Sequence, residues 1–155
     1  MASKRSQIMM TDDEVQAYLE SERVLNVATI GPTGHPHMVA MWYAMVDGNA
    51  VFWTFGKSQK ILNLRRDSKM TGLVESGETY DQLRGVELRG SGVIVEDYDE
   101  ILEIGKAVGV KYNGPAVLGD SALPFLEAQA TKRVGVVFHI DHITSWDHTK
   151  LAGSY

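Results

Sequence analysis

Apolar and polar positions along this chain follow first a helical period and then a strand period, and each change predicts a new element. Thr11 and Glu14 have the spacing of a capping box, and the apolar stripe behind them predicts a helix that ends near Glu22. Residues 1–10 carry no such pattern, and we expect them to form a flexible tail. The remaining residues, 11–155, contain no repeat or linker and are expected to fold as a single domain.

Strand-like runs dominate the chain after the first helix, and turn residues such as Gly, Pro, Asp and Asn separate them. The predicted strands cover residues 24–30, 35–45, 50–55, 70–75, 83–95 and 133–140. The first three are expected to form an antiparallel meander, because tight turns join them. Helical spacing returns over residues 57–66, after Asp97 and over 121–131. The prediction is an α+β fold, in which six strands form an antiparallel barrel with helices at its flanks.

Two details of this prediction concern the interior of the barrel and the end of the chain. Trp53 alternates with its strand neighbours and is expected to point into the barrel. The segment after residue 140, which carries Trp146 and His148, is expected to be irregular.

Composition removes several classes of function. The chain has no cysteine, which excludes disulfides, thiolate nucleophiles and thiolate zinc sites. A net charge of −5 argues against a nucleic-acid surface. No apolar run reaches the roughly 18 residues of a membrane span, and no secretory segment follows the basic N-terminus, so a cytoplasmic protein is expected. His35 and His37 share a strand face but lack carboxylate partners nearby, so no metal site is expected.

A basic cluster after the third predicted strand is the main candidate for chemistry. Five of the fifteen basic residues lie close together, namely Lys57, Lys60, Arg65, Arg66 and Lys69. They open a helix that Ser58 is expected to cap, and a helix N-terminus offers free amides and partial positive charge to an anion. With the hydroxyls of Thr54 and Ser58, this junction predicts a phosphate clamp. The charge pattern alone leaves open an ordinary amphipathic helix with a solvated basic face.

Several motifs, in this order, resemble the pyridoxamine-phosphate-oxidase-like superfamily over residues 11–151. The segment Phe52-Trp53-Thr54 followed by Ser58-Gln59-Lys60 resembles its cofactor-phosphate segment. The stretch from Lys60 to Asp67, with Asn63-Leu64-Arg65-Arg66 inside it, is similar to the branch that uses the deazaflavin coenzyme F420. Further motifs resemble the family at Gly34-x-Pro36-His37, Arg84-Gly85-Val86 and Ser145-Trp146-Asp147-His148.

The resemblance implies a split β-barrel of the FMN-binding type that works as a homodimer, with the cofactor ring at the dimer interface. It implies an oxidoreductase in which reduced coenzyme F420 donates a hydride to a conjugated, fairly apolar small molecule such as a quinone, enone or tetrapyrrole. The cofactor-binding residues that it implies are Val39, Ala40, Met41, Thr54, Lys57, Ser58, Lys60 and Asn63, the first three through main-chain groups beside the ring. No catalytic side chain is assigned, because the cofactor itself performs the hard step.

Alternatives to this function stay open at the level of sequence. An FMN-dependent oxidase or reductase would use the same fold, but FMN-binding relatives usually have Arg where this chain has Gln59, which favours the deazaflavin. A cofactor-binding or storage module without turnover is a third hypothesis. Pyridoxamine phosphate oxidase activity itself is not expected, because the Arg-rich C-terminal substrate motif is absent. His148 is a candidate proton donor, and packing near the dimer interface is its alternative role.

Overall fold

The computed structural model describes residues 3–151 and residue 153. The ends of the predicted tail and domain, residues 1, 2, 152, 154 and 155, lie outside the described residues. The strands are β1 (Leu25–Ile30), β2 (Pro36–Met41), β3 (Ala44–Val46), β4 (Asn49–Phe55), β5 (Lys69–Ser76), β6 (Arg84–Val95) and β7 (Arg133–Asp147). The helices are α1 (Lys4–Ile8), α2 (Asp12–Ser21), α3 (Gln59–Arg66), α4 (Tyr98–Asn113) and α5 (Leu123–Ala130). Short 3₁₀ turns cover Tyr80–Gln82, Pro115–Leu118 and His148–Leu151.

The strands form one antiparallel sheet in the order β2-β1-β5-β6-β7-β4-β3, with helices beside it. The predicted α+β class and the antiparallel pairing are therefore confirmed. The predicted number of six strands is wrong, because the described residues contain seven. The sheet is also open rather than closed, since β2 and β3 form its two edges.

The predicted strand over residues 35–45 is in fact two strands, and this division supplies the seventh. The chain bends at Trp42 and Tyr43, so that β2 and β3 lie at opposite edges of the sheet. Tyr43 fixes the bend: its amide donates to the Tyr112 hydroxyl at 3.0 Å, and its own hydroxyl donates to the Leu19 carbonyl at 2.5 Å. Both antiparallel pairings of the predicted meander are present, since β2 pairs with β1 and β3 pairs with β4, but no single strand makes both of them. β2 pairs with β1 alone, whereas β4 pairs with β3 and β7.

The last strand continues well beyond its predicted end. β7 runs to Asp147 and pairs with β6 along most of its length, so the expectation of an irregular segment after residue 140 is wrong. A register shift beside Gly90 lets this long pair bend. A Cβ at Gly90 would lie 1.8 Å from the carbonyl oxygen of His139, so only glycine lets the two backbones approach this closely.

Hydrophobic residues pack on both faces of the sheet. The larger buried cluster joins residues of β1, β4, β5, β6 and β7 to α2 and α3, and the smaller cluster joins β3 and β4 to α4. Phe52 belongs to the larger cluster, and its neighbour Trp53 packs against the smaller one. The prediction that Trp53 points into the barrel is therefore wrong. It contacts α4 at Gly105, where a Cβ would lie 2.3 Å from the indole ring.

The N-terminal region is more ordered than its sequence pattern indicated. Residues 4–8 form α1, where no regular element was predicted. The capping box of α2 is confirmed: the Glu14 amide donates to the Thr11 hydroxyl at 3.2 Å, and the Thr11 amide donates to the Glu14 carboxylate at 2.7 Å. Lys150 ties this helix start to the far end of the chain, since its ammonium lies 2.6 Å from the same carboxylate. Among the helices of the described residues, none has the length and apolar character needed to cross a bilayer.

Candidate functional site

The junction between β4 and α3 buries the ammonium group of Lys60. This side chain is only 8% exposed, and its Nζ donates to the Thr54 hydroxyl oxygen at 3.0 Å. None of the ion pairs in the described part of the chain includes Lys60. Burial lowers the pKa of the Lys60 ammonium below its usual value, since no carboxylate compensates for the lost water. A buried cation with one neutral partner is a favourable place for an anion.

Ser58 adds a second donor at the same junction. The sequence predicted that its hydroxyl caps α3, but the structure contains no such bond, so that prediction is wrong. The Ser58 Oγ is instead buried and has no hydrogen-bond partner among the described residues. The first amides of a helix also lack acceptors within the helix. The Lys60 ammonium, the Ser58 hydroxyl and these amides thus all belong to the start of one helix, and helix N-termini with such donors commonly hold phosphate groups.

The other members of the basic cluster divide between protein contacts and solvent. Arg65 lies 2.7 Å from the Glu96 carboxylate, and Arg66 donates to the Ile30 carbonyl at 2.6 Å. Lys69 is an exposed residue near Asp67. Lys57 is exposed at the start of the turn before α3 and takes part in none of the ion pairs in the described residues. The cluster is therefore only partly a solvated face, and Lys57 and Lys60 are its members available to an anion.

Asn63, which the family resemblance implies as a cofactor contact, anchors the helix within the protein. It is fully buried, and its side-chain amide donates to the Thr29 hydroxyl of β1 at 3.0 Å. Its carbonyl oxygen accepts from Gln59 at 2.7 Å and from Arg66 at 3.2 Å. These bonds use both polar atoms of Asn63 within the protein. The residue positions α3 against β1, and through α3 it positions Lys60.

His37 has a buried ring nitrogen that the sequence analysis did not predict. It pairs across the sheet with Thr29, the residue that Asn63 contacts. Its Nδ1 is buried and has no hydrogen-bond partner in the part of the chain that the structure describes. The alternation of β2, in which His37, Val39 and Met41 share the more buried face, is the sequence signal that could have found it.

The strand predicted to support a cofactor ring lies at an edge of the sheet. Val39, Ala40 and Met41 belong to β2, which pairs with β1 on one side only. An edge strand keeps a row of free main-chain N–H and C=O groups on its other side. This arrangement fits main-chain recognition of a ligand, and the unpartnered His37 lies on the same strand as the three residues.

His148 lies far from this region within one chain. Its amide donates to the Leu83 carbonyl at 2.9 Å, and its ring contacts Tyr80. α3 packs over β6 at Gly92, nine residues beyond Leu83. At about 3.3 Å per strand residue, this stretch of β6 is at most roughly 30 Å long. The role of His148 as a proton donor to the substrate stays a prediction.

Comparisons with known proteins agree with this arrangement. A family model for pyridoxamine 5′-phosphate oxidase matches residues 11–147. The chain belongs to that family. Conserved hypothetical protein Rv2991 from Mycobacterium tuberculosis shares its fold with a TM-score of 0.90 and 42% identity, over 97% of this chain and 92% of that one.

Solved structures of lower identity belong to proteins with different functions. An F420 reductase has 25% identity and a TM-score of 0.65, with 83% of this chain and 94% of that chain covered. HutZ, the heme storage protein from Vibrio cholerae, shares the fold at 11% identity and a TM-score of 0.67, over 87% of this chain and 94% of its own. No curated protein sequence matches the chain. Membership of the family therefore leaves the cofactor to be decided by the site itself.

The buried ammonium leads to a prediction about stability. We expect Lys60→Met to leave the free energy of unfolding unchanged or to raise it by about 1–2 kcal/mol in phosphate-free buffer, because an uncompensated buried cation is costly. Inorganic phosphate should raise the melting temperature of the parent and not that of the variant. Lys57→Met, a change at an exposed position, is the control and should gain no stability. Thermal and urea unfolding measure both effects, and a strongly destabilised Lys60→Met protein would contradict the prediction.

Proposed function

We propose that this protein is a cytoplasmic, homodimeric oxidoreductase that uses coenzyme F420 to reduce a conjugated, fairly apolar organic molecule. The observation that carries the proposal is the buried Lys60 ammonium beside the unpartnered Ser58 hydroxyl. These groups, with Lys57 and the Thr54 hydroxyl, would hold a cofactor phosphate at the start of α3. When bound, the deazaflavin supplies the hydride.

The protein's own contribution is position and exclusion of water. The clamp would fix the phosphate end, and the free main-chain groups of Val39, Ala40 and Met41 would support the ring along the edge of the sheet. Val39 and Met41 are half-buried against the larger core, so their backbone is held in one place. No acid or base side chain is needed for hydride transfer itself, and none is assigned.

The position of Gln59 favours the deazaflavin over FMN. Its amide donates to the Asn63 side chain at 2.7 Å, so it serves the α3 anchor rather than the anion. It also lacks the guanidinium fork with which FMN-binding relatives grip a phosphate in two places. The similarity to an F420 reductase supports the same choice. FMN remains the second candidate, because the fold serves both cofactors.

The homodimer is proposed from the exposed face of β1 and β2. Met38 is 65% exposed, although it lies in the middle of a strand. A cleft of about 460 Å³ lies beside it, with Ala28, Ile30 and Pro36 among its lining residues. Apolar surface of this kind commonly marks an interface, and a second copy would cover it. The same contact would enclose the ring beside β2.

The clamp predicts a loss of affinity when its ammonium is removed. We expect Lys60→Ala to weaken coenzyme F420 binding by about 1.5–3 kcal/mol, or roughly 10- to 150-fold in Kd, through loss of a charge-assisted bond. Arg65→Ala removes an equal charge from the same helix, but from a residue engaged with Glu96, and should change the Kd less than threefold. Fluorescence titration of the three proteins measures this. Equal dissociation constants for parent and Lys60→Ala would remove Lys60 from the site.

The cofactor preference predicts the outcome of a direct competition. The parent should bind coenzyme F420 more tightly than FMN, and Gln59→Arg should shift the ratio toward FMN by restoring a guanidinium fork. Competition binding with both cofactors gives the two ratios. If FMN binds the parent at least tenfold more tightly than coenzyme F420 does, the FMN-dependent function replaces the F420-dependent one. A protein that binds either cofactor but reduces no quinone or enone would be a binding module.

The dimer predicts a coupling between association and cofactor binding. Met38→Glu should shift the protein toward a monomer and weaken coenzyme F420 binding, because it places a charge in the proposed interface. Phe125→Glu, at a 75% exposed position of α5, is the matched control and should do neither. Sedimentation velocity with and without cofactor measures both. A monomer that binds the cofactor at full affinity would refute the interface.

A further inference from the structure

A second cavity lies on the face of the sheet opposite the larger core. It has a volume of about 240 Å³ and is bounded by α4, α5, the start of β7 and the bend after β2. Trp53 lines it, whereas Thr54 of the clamp points to the other face of β4. The cavity is therefore separate from the anion clamp, and none of the proposed phosphate contacts lines it.

One wall of this cavity is an indole ring that is exposed and yet fixed. Trp42 is 56% exposed, and its ring stacks on Tyr112 with centroids 4.2 Å apart and an angle of 6° between planes. The Tyr112 hydroxyl donates to the Arg23 carbonyl at 2.6 Å and accepts the Tyr43 amide, so the stacking partner cannot swing away. A rigid indole kept in contact with water is costly, and such surfaces commonly serve ligands.

The opposite wall contains two glycines of α4. Gly105 and Gly109 lie four residues apart on α4 and both line the cavity. A Cβ at Gly105 would lie 2.3 Å from the Trp53 ring, so any larger residue would displace this indole from the wall. Trp53 therefore packs against α4 at Gly105, and the exposed Trp42 ring is the aromatic surface that the cavity offers to a planar ligand.

Arg133 supplies a positive charge at the same cavity. Its guanidinium carbon lies 4.9 Å from the centre of the Trp53 ring and 5.1 Å from that of Phe55, and its Nε donates to Gln129 at 3.2 Å. These contacts fix the guanidinium, and burial lowers its pKa. No acidic side chain of the described residues forms an ion pair with it. The Nη groups are thus left to receive a carboxylate in two places.

We propose that this cavity binds a flat one- or two-ring aromatic or quinone-like molecule that carries a carboxylate. The ring lies in the cavity against the exposed indole of Trp42, and the carboxylate pairs with Arg133. A volume of about 240 Å³ is below the range of sites for drug-sized ligands, which restricts the occupant to a small molecule or to one end of a larger one. Trp42 directly follows Met41, so the occupant would lie next to the strand proposed to support the cofactor ring.

The test compares an acid with its neutral amide on the protein without cofactor. By calorimetry, 2-naphthoate should bind the parent at least tenfold more tightly than 2-naphthamide, which has nearly the same shape but no charge. Arg133→Gln should reduce 2-naphthoate affinity at least tenfold and leave 2-naphthamide affinity unchanged. Arg133→Lys should lose part of the affinity, and Arg65→Gln, at an arginine outside the cavity, should lose none. Equal binding of acid and amide to the parent would overturn the proposal even if Arg133→Gln failed to fold.

A second comparison keeps this proposal distinct from the cofactor site. Lys60→Ala should bind 2-naphthoate as the parent does, because the clamp lies on the other face of β4. Trp42→Ala should weaken both the acid and the amide, since it removes a wall that both use. Loss of 2-naphthoate binding in Lys60→Ala would place the acid in the clamp and refute the cavity. Failure of coenzyme F420 to bind the parent would remove the proposed function and leave these results unaffected.

Discussion

The burial of one ammonium group without a carboxylate is the constraint on which the candidate site depends. Lys60 reaches the interior from the first turn of α3, and the Thr54 hydroxyl is its one hydrogen-bond partner in the described residues. A buried charge without a counterion destabilises the folded protein, and a bound anion would offset this destabilisation. The Ser58 hydroxyl at the start of the same helix is buried without a hydrogen-bond partner among the described residues, and a bound anion would supply one. Both side chains belong to the phosphate clamp that we propose.

The anchor of α3 explains why this cation stays where it is. Asn63 spans the distance between α3 and β1, with Thr29 on one side and Gln59 and Arg66 on the other. Every polar atom of its side chain is engaged, so a shift of the helix would leave buried groups unpaired. This network is therefore part of the site, although it offers nothing to a ligand. Binding and positioning are separate tasks carried out by neighbours on one helix.

The bend at Trp42 and Tyr43 has two consequences for function. It ends β2 at an edge of the sheet, where free main-chain groups can meet a ligand. It also holds the Trp42 ring against Tyr112, at the mouth of the cavity that Arg133 lines. The strand proposed to support the cofactor ring and the second cavity are neighbours, because the bend at Trp42 and Tyr43 directly joins them. The chain belongs to the pyridoxamine 5′-phosphate oxidase family and is similar in structure to an F420 reductase and to a heme storage protein.

Local patterns in the sequence determined the element types, the capping box of α2 and the basic cluster that marks the site, because periodicity and caps act within a few residues. The motifs also determined the family. Only the tertiary structure decided that Asn63 anchors and Lys60 is buried, since both facts depend on how α3 packs against β1 and β4. It also decided that the predicted strand divides at Trp42 and that the Trp53 side chain points away from the larger core. Both features follow from contacts with α4, which lies about 60 residues away in the sequence. Contacts of that range leave no local pattern, so the sequence predicted six strands and a closed barrel where the fold has an open sheet of seven.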